Sequence, residues 1–495
     1  MAVLTYQQLH FILFPFMAQG HMIPMIDIAK LLSHRGVRVT VLLTPHNAAR
    51  VGPVVSRAQE SGLPVQVHLL DFPCAEAGLP SGCENFDLLP SFDLAMKFFD
   101  ATKMLRPQVE RLLREGLKPS PSCIIADMCF PWATDLAREL HIPRIVFHGM
   151  CCFSLLCEHN LVRWPELEKV ESDSEYFRVP GVPDKIEMTK AQVTHMVNPR
   201  SKEWSELCGE IIEAEENAYG ILVNSFEELE PEYIKEFKKA KGKNVWTIGP
   251  VSLCNKVGPD KCERGNKASI DLDQCLNWLN SMGPASVLFV CLGSLSRLPT
   301  PQMVELGLAL KASKRPFIWV IRHLSKEFQD FLEQEKYEEG VKGQGLIIHG
   351  WSPQVLILSH PSVGAFMTHC GWNSTLEGIA SGVPLLTLPL FAEQFLNEKL
   401  AVNVLKVGVR VGMESPIVFG EEEMAGVQVS RDKIVAAVEE AFGGGGGEGE
   451  MRIKRAKALR EAARRAVEEG GSSYLNIAKL IQDVGEEAKA LKSSA

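Results

Sequence analysis

The sequence predicts an α/β protein built as two doubly wound, parallel-sheet domains that face each other across a cleft. Two observations carry that expectation: short apolar, β-branched runs recur, each followed by a helical stretch, and this alternation breaks once and then restarts. Runs that are apolar on both faces suit strands covered by helices on either side, and their alternation with helices suits βαβ units. At roughly 100–200 residues per domain, a chain of 495 residues accommodates two such units.

In the first series His10–Phe14, Val37–Leu43, Cys123–Ala126 and Arg144–Phe147 are expected strands. Ile23–Ser33, apolar at Ile23, Ile26, Ile28, Ala29, Leu31 and Leu32, and Trp132–Leu140 are helices between them. Gly249-Pro250 ends the series. Ser252–Ser269 is poor in large apolar residues and rich in Lys, Gly and Asn, and is expected to be an interdomain linker. The second series has strands at Val287–Leu292, Pro316–Ile321, Leu346–His349, Val363–Met367 and Leu385–Leu388, with helices at Met303–Ala312, Ser374–Ser381 and Glu393–Leu405. Two soft segments follow, the acidic Glu414–Gln428 and the glycine run Gly443–Gly447. The glycine run follows no strand, so it reads as a flexible loop and not as a phosphate loop. Met451–Glu469 and Ser473–Lys489 are expected surface helices. The expected units are thus 1–251, a linker 252–269, 270–470, and a terminal helix 471–495 that packs back on the first domain.

Composition narrows the function. Net charge is −9, from 52 Lys+Arg against 61 Asp+Glu, with no long run of like charge, which argues against a nucleic-acid or polybasic membrane partner. The 13 cysteines are an odd count with no C-x-x-C, so neither a disulfide framework nor a zinc ribbon is expected; reduced, buried thiols in a cytoplasmic chain are. The N-terminal apolar run lacks a basic n-region and is interrupted by Pro15, Gln19, Gly20 and His21, so no secretory leader is expected. No stretch has 18 unbroken apolar residues, so no membrane span is expected either.

In open α/β sheets ligands bind beyond the carboxyl ends of the strands. On the second sheet that rule selects the 44-residue window Trp351–Gln394, WSPQVLILSHPSVGAFMTHCGWNSTLEGIASGVPLLTLPLFAEQ. The strand Val363–Met367 runs through a short loop into a helix opening at Asn373-Ser374-Thr375, capped by Asn and Ser and entered through glycine. Free N–H groups at such an end form an anion site that suits a diphosphate. His369 could add a donor or a positive charge, Glu377 could accept from ribose hydroxyls, and Trp351 offers a flat face to a base. Glu393 and Gln394 place acceptors and an amide where a polyhydroxylated ring could be read.

With W-x-P-Q at its start, H-C-G-W-N-S at its core and E-Q at its end, this window resembles, without a gap, the signature box of plant family 1 glycosyltransferases. The resemblance extends more weakly to the Gly293-Ser294 loop, the F-x-W-V-I-R strand ending at Arg322 and the stretch Asn224–Glu230. It implies two Rossmann-like domains in the GT-B architecture, an active site in the interdomain cleft, and transfer of a sugar from a UDP-sugar to a small secondary metabolite. By position, Trp351 would stack on uracil with Val355 nearby, Gln354 would lie near the ribose, and Glu377 would bind its hydroxyls. His369, Asn373, Ser374 and Ser294 would hold the diphosphate; Trp372, Glu393 and Gln394 would hydrogen-bond the sugar. The terminal glutamine implies UDP-glucose as co-substrate, with no further cofactor and no metal.

On the first sheet, the family pattern P-x-x-x-x-G-H selects His21 as general base. A histidine in that role needs a carboxylate to fix its tautomer, and Asp127, ending the strand Cys123–Ala126, is the expected partner; Asp135, inside a helix, is the expected decoy. An acceptor pocket is expected from Phe16, Met17, Phe147, His148, Phe153, Leu156 and the Phe92–Phe99 region, closed by Phe391 and Ala392. The expected reaction is an inverting displacement by a hydroxyl of a flavonoid, triterpenoid, steroid or hormone, carried out by a monomer. The alternatives are another UDP-sugar, C-linkage, or a catalytically silent nucleotide-sugar binder, for which a base and its carboxylate would be idle.

Overall fold

The computed structural model describes residues 9–444 and 446–494. Seven parallel strands form the first sheet: β1 His10–Phe14, β2 Arg38–Leu43, β3 Val65–Leu69, β4 Cys123–Asp127, β5 Arg144–His148, and, after a small hairpin of β6 Tyr176–Arg178 and β7 Glu187–Thr189, β8 Gly220–Val223 and β9 Asn244–Thr247. Their spatial order is β3-β2-β1-β4-β5-β8-β9. The second sheet has six: β10 Val287–Cys291, β11 Phe317–Ile321, β12 Gly345–His349, β13 Val363–Thr368, β14 Leu385–Thr387 and β15 Gly408–Arg410, in the order β12-β11-β10-β13-β14-β15.

The strands expected from the apolar runs are present, most shifted at an end by a residue or two. β3, β8, β9 and β15 were not expected. The last three have four residues or fewer and β3 is interrupted by Gln66 and His68, so none carries a long apolar signature. The expected helix Glu393–Leu405 is a short helix Gln394–Lys399 followed by a wider π-type turn Leu400–Val404.

Strand order reverses between β1 and β4 in one sheet and between β10 and β13 in the other. Diverging connections leave a crevice at each of these points. Both crevices open toward the same cleft, because residues leaving β1, β10 and β13 line one cavity.

The first sheet is packed on both faces. One face buries Phe11, Leu13, Val39 and Val41 against Met22, Met25 and Ile28, and includes Ile477, Leu480, Ile481 and Val484 of the last helix, Ser472–Ser494. That helix is held to β9: Trp246 Nε1 donates to Asp483 Oδ2 at 3.0 Å and Ser473 Oγ donates to the Gly249 carbonyl at 2.5 Å. The two sheets also share core. The helix Cys152–Val162 packs against Leu396 and Leu400, and Ser154 Oγ donates to Asn397 Oδ1 across the boundary at 2.9 Å.

The expected linker is a pinned segment and not a slack one. Lys30 Nζ donates to Asn255 at 2.9 Å and to Asp260 at 2.6 Å, and Arg57 Nε reaches Asp260 at 3.0 Å. In the glycine run, Gly443 and Gly446 adopt positive φ, and the helix Gly447–Val467 follows; Gly445 lies outside the described residues.

Candidate active site

A cavity of about 1150 Å³ lies between the carboxyl edges of the two sheets. That exceeds the roughly 300–1,000 Å³ of a pocket for one small molecule, so two substrates can share it.

On one wall is a histidine–carboxylate pair. β1 and β4 are adjacent and in register, with Phe14 opposite Ala126, so Asp127 emerges level with the turn that leads into the helix Gln19–His34. His21, in the first turn of that helix, places Nδ1 at 2.7 Å from Asp127 Oδ2. Asp127 is fully buried; its Oδ1 accepts from the Cys129 amide at 3.1 Å, and its carbonyl accepts from Arg144 Nη2 at 3.0 Å. Burial opposes ionisation at both groups, but mutual charge and the hydrogen bond overcome it. The His21 pKa is raised, with Glu393 adding to the effect, and that of Asp127 is lowered. An ionised carboxylate only accepts, so the proton of neutral His21 sits on Nδ1 and Nε2 is the free base. Asp135 is an exposed side chain paired with Arg138 at 2.7 Å.

The opposite wall is the loop and helix after β13. The helix begins at Trp372 with Gly371 as its cap and no side-chain cap, so the expected capping by Asn373 and Ser374 does not occur. Both lie in the first turn instead. Asn373 Nδ2 donates to the Gly20 carbonyl of the other sheet's helix at 2.5 Å, and Ser374 Oγ accepts from Gln354 Nε2 at 3.1 Å. His369 is wedged between Gly293 and Gly371: a Cβ added at either glycine would lie 2.4 Å from its Nε2, and Gly293 has φ +86°. Burial, helped by the Arg322 charge, lowers the His369 pKa to about 3. It is a neutral group there, which corrects the expectation that it could bring positive charge.

Trp351 follows β12 and is fixed by its indole N–H to the Arg264 carbonyl at 3.2 Å and by its amide to Ser269 Oγ at 2.9 Å. Glu377 accepts from Gln354 Nε2 at 2.8 Å and pairs with Arg264 Nη1, whose Nη2 reaches Asp27 Oδ2 at 2.5 Å. Arg264 thus joins a helix of each half at the base of the cleft. Sequence reasoning missed it, because it stands in a polar stretch with no periodicity.

Glu393 and Gln394 line the cavity, as do Ser294 and Val355. Burial raises the Glu393 pKa despite the nearby Trp372 amide and His21. Gln394 Oε1 accepts from the Leu390 and Phe391 amides at 2.8 and 3.1 Å, which fixes the loop and leaves its NH₂ group as the free end. The indole N–H of Trp372 is committed to the Asn224 carbonyl at 2.7 Å, so that side chain is a strut between the halves and has no N–H left for a sugar.

Phe16, Phe391 and Ala392 line the remaining part of the cavity with Phe92, Met96 and Phe99. Five expected members do not. Met17 is packed in the core behind Phe16. His148 is 3% exposed and turns beneath the sheet to pair with Glu215, which also holds Lys241. Phe153 packs edge-on against Tyr233, ring centroids 4.8 Å apart, in the shared core. Phe147 and Leu156 are core residues as well. In their place stand Trp204, His195 and Phe419. Phe419 comes from the acidic stretch after β15 and meets Phe92 at 5.5 Å, roofing the apolar end from the other half.

The family model described as UDP-glucoronosyl and UDP-glucosyl transferase matches residues 117–415. The chain is similar to UDP-glycosyltransferase 73C13 of Barbarea vulgaris, 54% identical over 479 residues, 96% of each chain. Among solved structures it is similar to Glycyrrhiza uralensis UGT73P12 complexed with glycyrrhetinic acid 3-O-monoglucuronide, with TM-score 0.90 and 37% identity over 98% of this chain and 97% of that one. It is also similar to Phytolacca americana UGT2 complexed with UDP-2fluoro-glucose and pterostilbene, with TM-score 0.74 and 26% identity over 96% of this chain and 100% of that one.

Proposed function

The chain belongs to the UDP-glucoronosyl and UDP-glucosyl transferase family, as a plant family 1 member, and from that membership we propose that it moves glucose from UDP-glucose to a hydroxyl of a lipophilic small molecule, with inversion to a β-glucoside. Glycosyl transfer itself is the family's activity. The observation that carries the finer reading is the His21–Asp127 pair at 2.7 Å, set across one cavity from the open N-terminus of the helix at Trp372.

His21 Nε2 would take the proton of the acceptor hydroxyl as its oxygen attacks the anomeric carbon. Asp127 keeps the proton of the resting imidazole on Nδ1 and stabilises the imidazolium that forms. The bond to UDP breaks from the opposite side. Its charge would be met by helix N–H groups and by Asn373, Ser374 and Ser294, with Trp351 under the base and Glu377 and Gln354 at the ribose. One displacement inverts the anomeric centre. Gln394 NH₂ and Glu393 would read the sugar hydroxyls, and UDP-glucose would be the only co-substrate.

The apolar end, walled by Phe16, Phe92, Phe99, Trp204 and Phe419, suits a bulky aromatic or polycyclic aglycone. The ligands named for the two solved relatives include glycyrrhetinic acid 3-O-monoglucuronide and pterostilbene. We place the protein in the cytoplasm: its described cysteines are free thiols, most of them buried, and no helix among the described residues is long and apolar enough to cross a membrane. One chain supplies both walls, so a monomer would suffice.

The test is a panel of aglycones incubated with UDP-glucose and read by mass spectrometry, with the anomeric coupling constant of the product. A mass gain of one hexose with β-coupling is expected. No transfer to any hydroxylated aglycone, or an α-product, would overturn the reading.

A further inference from the structure

The donor wall carries a cation that forms no ion pair among the described residues. Arg322 follows β11, at the carboxyl edge of the second sheet, and lines the cavity beside Trp351 and His369. Its guanidinium carbon lies 4.3 Å from the centre of the Trp351 ring. Nη2 makes only a long contact of 3.8 Å to Cys291 Sγ, and Nε and Nη1 are buried without a hydrogen-bond partner. Among the described residues no carboxylate forms an ion pair with it. Arg264, the other guanidinium on this wall, is consumed by Asp27 and Glu377.

Buried donors are nearly always satisfied, and a half-buried guanidinium without an anion is an open position for one. The anion to be bound here is the diphosphate of the donor, since the inference rests on the UDP-sugar reading above. The other groups expected to hold it, His369, Asn373, Ser374 and Ser294, are all neutral. A guanidinium offers a forked pair of N–H donors that matches two phosphate oxygens. We propose that Arg322 binds a phosphate oxygen of the UDP-sugar and carries charge on the departing UDP, so that the donor site combines neutral donors with one dedicated cation.

A competing role is geometric: the guanidinium could merely prop the Trp351 ring by cation–π contact. The two roles separate by ligand, because uridine needs the ring but has no phosphate. UDP and uridine are titrated calorimetrically into the wild type, Arg322→Gln and Arg322→Lys, with thermal melts of each. The expected result is UDP affinity reduced about 10–100-fold in Arg322→Gln, as for loss of hydrogen bonds to a charged group, and less in Arg322→Lys. Uridine affinity should stay within about twofold in both. Equal losses for uridine and UDP would overturn the proposal in favour of the prop, and an unchanged UDP affinity would overturn it outright. Should Arg322→Gln melt out, the UDP-to-uridine ratio in Arg322→Lys decides in the same way. A wild type that fails to bind UDP would instead strike down the donor reading itself, and this inference with it.

Discussion

The Nδ1 of His21 lies 2.7 Å from Oδ2 of Asp127, although 106 residues separate them. A buried carboxylate behind a partly exposed imidazole is an arrangement for accepting a proton on the far nitrogen. His21→Ala should therefore lower kcat by about 10²–10⁴-fold, the usual worth of a positioned general base. UDP titration should be unchanged. Undiminished turnover would remove His21 from this role.

The pair also predicts a pH profile. The His21 pKa is raised above the ordinary 6.5, so the imidazole is increasingly protonated, and useless as a base, as pH falls through that raised value. The acid limb of kcat/KM should lie above pH 6.5. Asp127→Asn removes the charge that outweighs burial, so the limb should move to lower pH. The plateau should drop by up to about 10⁴, because an amide can donate to Nδ1 and select the wrong tautomer. A limb that moves upward or stays in place would contradict the assignment.

Arg264 binds Asp27 and Glu377 at once, from opposite halves. Arg264→Met leaves two buried carboxylates without their cation, a loss of about 3–5 kcal/mol. Differential scanning calorimetry should show a fall in Tm of about 3–5 °C. Because Glu377 loses its orientation, KM for the UDP-sugar should also rise. A variant that melts with the wild type would show the bracket to be idle.

Gln394 spends its carbonyl oxygen on two loop amides and keeps its NH₂ group for the cavity. Gln394→His withdraws that amide. Use of UDP-glucose relative to UDP-galactose should fall by up to about tenfold, the worth of one hydrogen bond. An unchanged ratio of kcat/KM for the two donors would count against the role.

Phe419 and Phe92 meet across the roof of the apolar end. Phe419→Ala should raise KM for a polycyclic acceptor about 2–10-fold, as expected from loss of one aromatic pair. UDP affinity should be unaffected. A parallel loss of UDP binding would show the loop to serve the donor wall instead.

Much of this architecture is legible in the sequence because buried parallel strands leave dense apolar runs. The switch-point rule then points to residues just past them, and His21, Ser294, His369 and Trp351 do meet at one cavity, with Asp127 buried directly behind His21. The same rule oversteps at His148, where the side chain at the end of β5 turns beneath the sheet toward Glu215. Strand-end position does not say which face a side chain takes. Arg264 and Phe419 were illegible for a different reason. Both stand in polar segments without periodicity, and Arg264 acquires its function only from partners 237 and 113 positions away. That the Trp372 indole is claimed by a backbone carbonyl was illegible too, because no local pattern marks it.

The last helix has a consequence for how the chain is made. Leu480, Ile481 and Val484 complete the core that Leu9, Phe11 and Val39 begin, whereas the second sheet draws all its strands from Val287 to Arg410. On the ribosome, where domains otherwise tend to fold in the order they emerge, the half synthesised first is therefore the half whose core closes last.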